Sequence, residues 1–210
     1  TEEVNEIRNA FNDTFRKLNN VKHIEVGLLE YDKRFLKLLD NEPVIKKIKT
    51  ILGNCIQLHS ATARLCKPGE SNQIWHRDGP WPVDPAGTPF GSIPGQVNCG
   101  YYLDELNSEN GAFALVPGSH KVKFDIPRED FEYPDQKYLF AKPGQAILFS
   151  GWMYHRGMGN RSKSDRRVCL MCYQNAWIKS REDFDGPIAN EIRNNGNDEQ
   201  KLLLGGADKW

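Results

Sequence analysis

The sequence has no excess of either charge: its 210 residues carry 28 Lys and Arg against 28 Asp and Glu. That balance removes the electrostatic footprint of a nucleic-acid binder or of a protein held on an anionic membrane surface, so neither partner is expected. Long hydrophobic runs are also missing. Mean hydropathy is -0.64, and nothing approaches the ~20 apolar residues of a membrane span. Residues 1–20 are charged and amphipathic, without the apolar centre and small-residue cleavage site of a secretion signal. Cysteine is scarce. Cys55, Cys66, Cys99, Cys169 and Cys172 are odd in number and scattered, which argues against a disulfide framework. Cys169 and Cys172 have C-x-x-C spacing, but on a strand positions three apart point to opposite faces, so they read as small core residues. A reducing, cytoplasmic location is the expectation. No internal repeat or low-complexity linker divides the chain, which reads as one domain over 1–210.

What is present begins with helical periodicity. Val4, Ile7, Phe11, Phe15 and Leu18 recur at helical spacing, and Phe35, Leu36, Leu38 and Leu39 repeat the pattern within Asp32–Leu39. Asn41 is a predicted N-cap, with Glu42 and Pro43 in the first turn of a helix that runs towards Leu52 and stops at Gly53. Residues 1–54 therefore form a helical N-terminal part. From Cys55 the period changes to that of strands: Ile56–Leu65, Gln96–Leu103, Ala112–Val116, Gln145–Phe149 and Arg167–Trp177, separated by turns such as Glu109-Asn110-Gly111 and Pro117-Gly118-Ser119. Many short strands with such punctuation predict a sandwich or barrel over 55–178, most naturally a jelly roll with a site at its mouth. Gly111 and Gly118 are predicted turn glycines of unusual φ. The tail, 179–210, reads as a mobile loop through the Asn-rich 194–197 and a short closing helix at Lys201–Leu204.

The chemistry is carried by His76, Asp78 and His155. Two apart on a strand, His76 and Asp78 share one face, and Arg77 between them points away. His155 follows the run Ala146–Phe149 and comes from a different strand. Two imidazoles and one carboxylate on one side of an ion leave positions open, the ligand set of a non-haem Fe(II) centre; zinc with one open position is the competing choice. Arg166 lies a few residues beyond the second histidine and shares a strand face with Val168, Leu170 and Cys172. It is placed to anchor the carboxylate of a keto-acid cosubstrate through a bidentate pair. Arg167, of opposite parity, is expected to face solvent or the second sheet. The Pro- and aromatic-rich stretch Pro80–Pro94 reads as a lid, with Trp81 and Phe90 as substrate contacts. Arg64, Lys67 and Arg77 are candidates to meet an acidic group on the substrate. His120 reads as structural rather than metal-binding, and His23 and His59 have no ligand-spaced partner.

Gln73-Ile74-Trp75-His76-Arg77-Asp78-Gly79, Glu109-Asn110-Gly111-Ala112, Pro117-Gly118-Ser119-His120-Lys121 and His155-Arg156-Gly157 with Asn160 and Arg166 together resemble the phytanoyl-CoA dioxygenase family of Fe(II)/2-oxoglutarate oxygenases. The resemblance covers about Leu28 to Trp177. It implies a mainly β fold with flanking helices, a double-stranded β-helix (jelly roll, cupin-like) preceded by N-terminal helices. It also implies iron on His76, Asp78 and His155, and a salt bridge from Arg166 to the distal carboxylate of 2-oxoglutarate. The cofactors would be Fe(II), 2-oxoglutarate and O2. The reaction would be hydroxylation of a small molecule with release of succinate and CO2, or desaturation, epimerisation or ring formation. A halogenase of this type would have a small residue where Asp78 stands. The chain departs from the family pattern twice: Gly157 replaces a frequent serine or threonine, and Phe113 a frequent hydroxyl. Asn98 or Tyr102, alternating on one strand face, would then supply the second contact to 2-oxoglutarate. The alternatives are a jelly-roll isomerase or hydrolase that needs no keto acid, and a catalytically silent small-molecule-binding module.

Overall fold

The computed structural model describes residues 1–19, 21–78, 95–121 and 130–206. An amphipathic helix α1 (Glu2–Lys17) opens the chain, followed by β1 (His23–Ile24), a single helical turn α2 (Leu28–Tyr31), a 3₁₀ segment (Lys33–Leu38) and α3 (Glu42–Leu52). Then come β2 (Ile56–Cys66), β3 (Gln96–Tyr102), β4 (Phe113–Leu115), β5 (Lys137–Leu139), β6 (Ala146–Ser150), β7 (His155–Gly157) and β8 (Arg166–Asn175), and last α4 (Pro187–Asn195) and α5 (Asp198–Leu203). All pairings are antiparallel. A five-stranded sheet runs in the order β1-β2-β8-β3-β6, and a three-stranded sheet in the order β5-β4-β7.

The larger sheet separates two interiors. On one face the helices bury their apolar stripes. Ile7, Phe11 and Phe15 of α1 and Val44, Ile45 and Ile48 of α3 pack with Ala61, Cys99, Met171 and Tyr173 from the sheet. Each such side chain removed from water contributes roughly 1.5–3 kcal/mol. On the other face Tyr102, Phe149 and Val168 meet Phe113 and Leu115 of the smaller sheet. Side chains alternate along each strand, so neighbouring residues serve different interiors. Cys169 faces the helices and Cys172 the space between the sheets, and both are free thiols. Two antiparallel sheets packed face to face, with helices outside the larger one, are the mainly β jelly-roll arrangement the strand pattern predicts.

Several local expectations need correction. The helical first part contains a strand: His23 and Ile24 pair with Arg64 and Ala63 of β2. Two residues are too few to show a period. Arg167 faces neither solvent nor the second sheet; it reaches the helical layer, where its side chain binds Asp104 and Asn12 of α1. The Asn-rich stretch is not a loop. Asn194 and Asn195 end α4, and Asn197 caps α5 by accepting from the Gln200 amide, with the Gln200 side chain accepting in return. Asparagine is favoured at caps because its short side chain satisfies an orphan donor. Gly53 does end α3, at φ 87°. Among the described residues no helix is long and apolar enough to cross a membrane.

Candidate metal centre and its cavity

His76 lies outside any named strand but is bridged to β7: its N–H donates to the His155 carbonyl and the His155 N–H to the His76 carbonyl, at 3.1 and 3.0 Å. That reciprocal pair brings the two rings to a centroid separation of 4.3 Å. Asp78, two residues on, is fixed by its own N–H to the Gly151 carbonyl at 2.7 Å. Its carboxylate sits 3.9 Å from His76 Nε2 and 3.3 Å from His155 Nε2. The three ligand atoms all lie within 4.8 Å of one another, the one such group among the described residues.

Both imidazoles are held in the same way. His76 Nδ1 lies 2.9 Å from the Ile74 carbonyl and His155 Nδ1 2.8 Å from the Met153 carbonyl. A carbonyl only accepts, so each Nδ1 carries the proton and each Nε2 presents its lone pair to the common point. Burial, followed by the neighbouring His155, holds the His76 pKa below its usual value, which favours the neutral, ligating form. Burial alone would push the Asp78 carboxyl up. When the rings are protonated, the hydrogen bond and charge of His155 and the charge of His76 outweigh it, together with the donated amide of Asn98, and hold the group below the usual carboxylate value. These donors fit a divalent cation that accepts nitrogen and oxygen together, and the opposite side of the group opens into a cavity.

The cavity has a volume of about 490 Å³. Arg166, Val168, Leu170 and Cys172, the four residues that share a face of β8, all line it. Arg166 is 3% exposed, its Nη1 donates to the Gly111 carbonyl at 2.6 Å, and its Nε is buried without a partner. An unpaired guanidinium donor buried at the cavity wall fits the carboxylate of a keto acid. Gly111, at φ 96°, turns where any Cβ would collide with the Met158 carbonyl, so the carbonyl that steadies Arg166 depends on a residue only glycine can be. Tyr102 also lines the cavity. Burial, offset in part by the Arg166 charge, raises its phenol to about 12, so it remains a donor. Asn98 is committed otherwise: its amide donates to Asp78 Oδ2.

The structure explains the departure at position 157. Gln73 Oε1 accepts from the Gly157 N–H at 2.8 Å and occupies the place a Cβ there would need. Gln73 thus enters the cavity wall, a role that sequence spacing did not show; the available signal was a glycine where a side chain was expected. Arg64 also lines the cavity. Lys67 is not among its lining residues, and Arg77 is turned away as its parity requires: it donates to the Ser119 carbonyl at 2.7 Å and lies 4.0 Å over the Tyr154 ring. Arg77 thus lies outside the lining of this cavity, which gives its candidate substrate role no support. Trp81 and Phe90, with the rest of Pro80–Pro94, lie outside the described residues. His23, His59 and Arg181, to which no such role was given, do line the cavity.

Residues 2–168 match the family model described as phytanoyl-CoA dioxygenase. Among curated proteins, the chain is 41% identical over 105 residues to the dioxygenase hkm4 of Aspergillus hancockii, covering 48% of this chain and 32% of that protein. It is 32% identical over 86 residues to a probable alpha-ketoglutarate-dependent hypophosphite dioxygenase of Stutzerimonas stutzeri, covering 41% of this chain and 28% of that protein. The chain thus spans about a third of the length of these two relatives. Among solved structures it resembles HygX of Streptomyces hygroscopicus, with nickel and 2-oxoglutarate bound, at a TM-score of 0.71 and 18% identity over 89% of this chain and 83% of that one. HygX has also been solved with hygromycin B. At that identity the likeness establishes the fold: a double-stranded β-helix.

Proposed function

The chain belongs to the phytanoyl-CoA dioxygenase family, and from that premise we propose that it is an Fe(II)- and 2-oxoglutarate-dependent dioxygenase that hydroxylates a small molecule, releasing succinate and CO2. The observation that carries this reading is the meeting of the His76, Asp78 and His155 ligand atoms within 4.8 Å in the same cavity as a buried Arg166 with an unpaired Nε. The family membership, a relative named for alpha-ketoglutarate and a fold shared with a structure holding 2-oxoglutarate support it further.

His76, Asp78 and His155 would hold Fe(II), and Arg166 the distal carboxylate of 2-oxoglutarate. When bound, the metal and keto acid supply the oxidising chemistry with O2. The chain's own work is positioning. The two backbone carbonyls turn both Nε2 atoms to one point, where they would hold the metal, and Asn98 holds the Asp78 carboxylate in one orientation. The Gly111 carbonyl fixes the arginine fork. Gln73 and Tyr102, both in the wall near Arg166, are the candidates for the second contact to the keto acid, since Asn98 is already spent on Asp78. Phe113, Phe149, Val168 and Leu170 line the space with apolar surface and exclude water. A cavity of this volume suits a small organic substrate. A metal isomerase or hydrolase using the same three ligands has no use for a buried arginine beside them.

The test is succinate formation from 2-oxoglutarate with Fe(II), O2 and ascorbate as reductant. Wild-type protein should release it, and His76→Ala and Asp78→Ala should fall to the level without protein. Release that survives both substitutions would remove the assignment of the centre.

A further inference from the structure

Opposite the small sheet, the cavity is walled by β1, β2 and the segment that follows β8. β2 is irregular there. Leu58 pairs with Tyr173 and Ser60 with Cys172, adjacent residues of β8, so His59 is an extra residue without a ladder partner. Such a bulge changes the parity of a strand and re-aims its side chains. Ile56 and Leu58 before it, and Ala61, Ala63 and Leu65 after it, all remain in the helical core, while His59, Ser60, Thr62 and Arg64 line the cavity. The backbone groups the bulge frees are taken up by the following segment. The His59 carbonyl accepts the N–H groups of Arg181 and Glu182 at 3.1 and 3.3 Å, Ser180 Oγ donates to the Leu58 carbonyl at 2.8 Å, and the Ala61 N–H donates to Glu182 at 2.6 Å. That docking brings Arg181 to the cavity wall.

The result is a cationic end with little to balance it. His23 stands directly across from Arg64 on the neighbouring strand, on the same face. Among the described residues lining the cavity, Asp78 is the one acid, against Arg64, Arg166 and Arg181. Asp78 and a 2-oxoglutarate dianion would match Fe(II) and Arg166, leaving Arg64 and Arg181 over. Their own partners are weak. Arg64 lies 3.6 Å from Glu70, which also meets Lys22 and accepts the Lys67 N–H, and Arg64 Nε is buried with no hydrogen bond. Arg181 meets Glu25 at 3.2 Å where both are exposed, a kind of pair that is worth little. Glu182 is tied to the Ala61 backbone. The positive field reaches its neighbours: after burial, the charge of Arg64 is the next cause holding the His23 pKa down, and it prevails over Glu25, which opposes it, with a smaller contribution from Arg181. His59 is 8% exposed with its Nδ1 unpartnered.

We propose that this end of the cavity is the substrate subsite and binds an oxyanion, a carboxylate or a phosphate, carried by an anionic small molecule, with Arg64 and Arg181 as its specificity-determining residues. This rests on the oxygenase reading in calling the ligand a substrate and in the charge balance drawn with Fe(II) and 2-oxoglutarate; the placement of Arg64 and Arg181 in the cavity wall stands on its own geometry.

The test titrates phenylacetate and phenyl phosphate, with phenylacetamide as the neutral counterpart, into wild-type protein and Arg64→Gln/Arg181→Gln. It is run by calorimetry with Fe(II) and 2-oxoglutarate and without O2. At least one acid should bind tenfold or more tightly than the amide, and which acid it is separates carboxylate from phosphate recognition. The double variant should lose tenfold or more of that affinity while its 2-oxoglutarate Kd stays within twofold, which also shows that it is folded. Arg64→Lys/Arg181→Lys should keep most of the affinity. Equal binding of the amide, acid binding unchanged in the glutamine variant, or no acid binding at all would overturn the subsite. Failure of every protein to bind 2-oxoglutarate would instead overturn the oxygenase reading, and the acid titrations, repeated without the keto acid, would still decide the subsite.

Discussion

On β8, Cys169, Met171 and Tyr173 point into the helical layer, and Arg166, Val168, Leu170 and Cys172 point into the cavity. The first set is satisfied. The Tyr173 hydroxyl donates to the Leu38 and Leu39 carbonyls, and the apolar neighbours close around it. The second set is not: Arg166 Nε and, on the adjacent strand, Gln96 Oε1 are buried without partners. Buried polar groups are normally paired, and an unpaired one on a cavity wall is open to a bound partner. One strand thus serves stability on one side and keeps open bonding capacity on the other, and substitutions on its two sides should separate cleanly.

The largest effect is expected on the helical side. Phe11→Ala should cost about 3–5 kcal/mol through the cavity it leaves, lowering the melting temperature by roughly 10 °C at 2–4 °C per kcal/mol. Its 2-oxoglutarate affinity, measured well below the transition, should be unchanged. On the cavity side Arg166→Ala should do the reverse. Losing a charge-assisted pair of about 3 kcal/mol raises the 2-oxoglutarate Kd about a hundredfold, with a far smaller change in melting temperature. An unchanged Kd would remove the anchor. Asn98→Ala should weaken metal binding about tenfold, as loss of an outer partner does, measured by titration of Fe(II) under anaerobic conditions. The smallest effect is Asp32→Asn, beside the helices. A hydrogen bond from Arg34, against the cost of burial, holds the Asp32 pKa below 3.8. A depressed carboxyl stabilises above its unfolded value and loses that contribution as pH falls through the folded one. The wild type should therefore exceed Asp32→Asn by less than about 1 kcal/mol near neutral pH, and the gap should close below about pH 4. Chemical denaturation at two pH values reads this difference.

The meeting of His76, Asp78 and His155 was legible because two-residue spacing on an extended segment forces His76 and Asp78 to one side, and the order of motifs supplied His155. Parity also placed Arg166 and Cys172 on the cavity side and Cys169 on the other. Parity failed wherever register shifts or chain returns decide the outcome. His59 gave no sign of its place because a bulge is a property of two strands, and the sequence shows only one. Arg181 reaches the cavity through backbone bonds that any residues could make. Gln73 occupies space that exists because Gly157 has no side chain, which only the folded pairing reveals. Arg77 was weighed for its charge although its position between two ligands already turned it outward. The Asn-rich 194–197 was read by composition as irregular, while its role in a cap is local and specific.

His59 has one more consequence. Without it, Ile56 and Leu58 would keep their side of β2, and so would Ser60 and Thr62, because the extra residue belongs to neither alternating series. A single-codon deletion there should preserve the alternation of the apolar residues while removing the His59 carbonyl that accepts the Arg181 and Glu182 N–H groups. A change of one residue in length at this point is thus a change in what fastens the wall segment carrying Arg181, not in which face of β2 meets the helices.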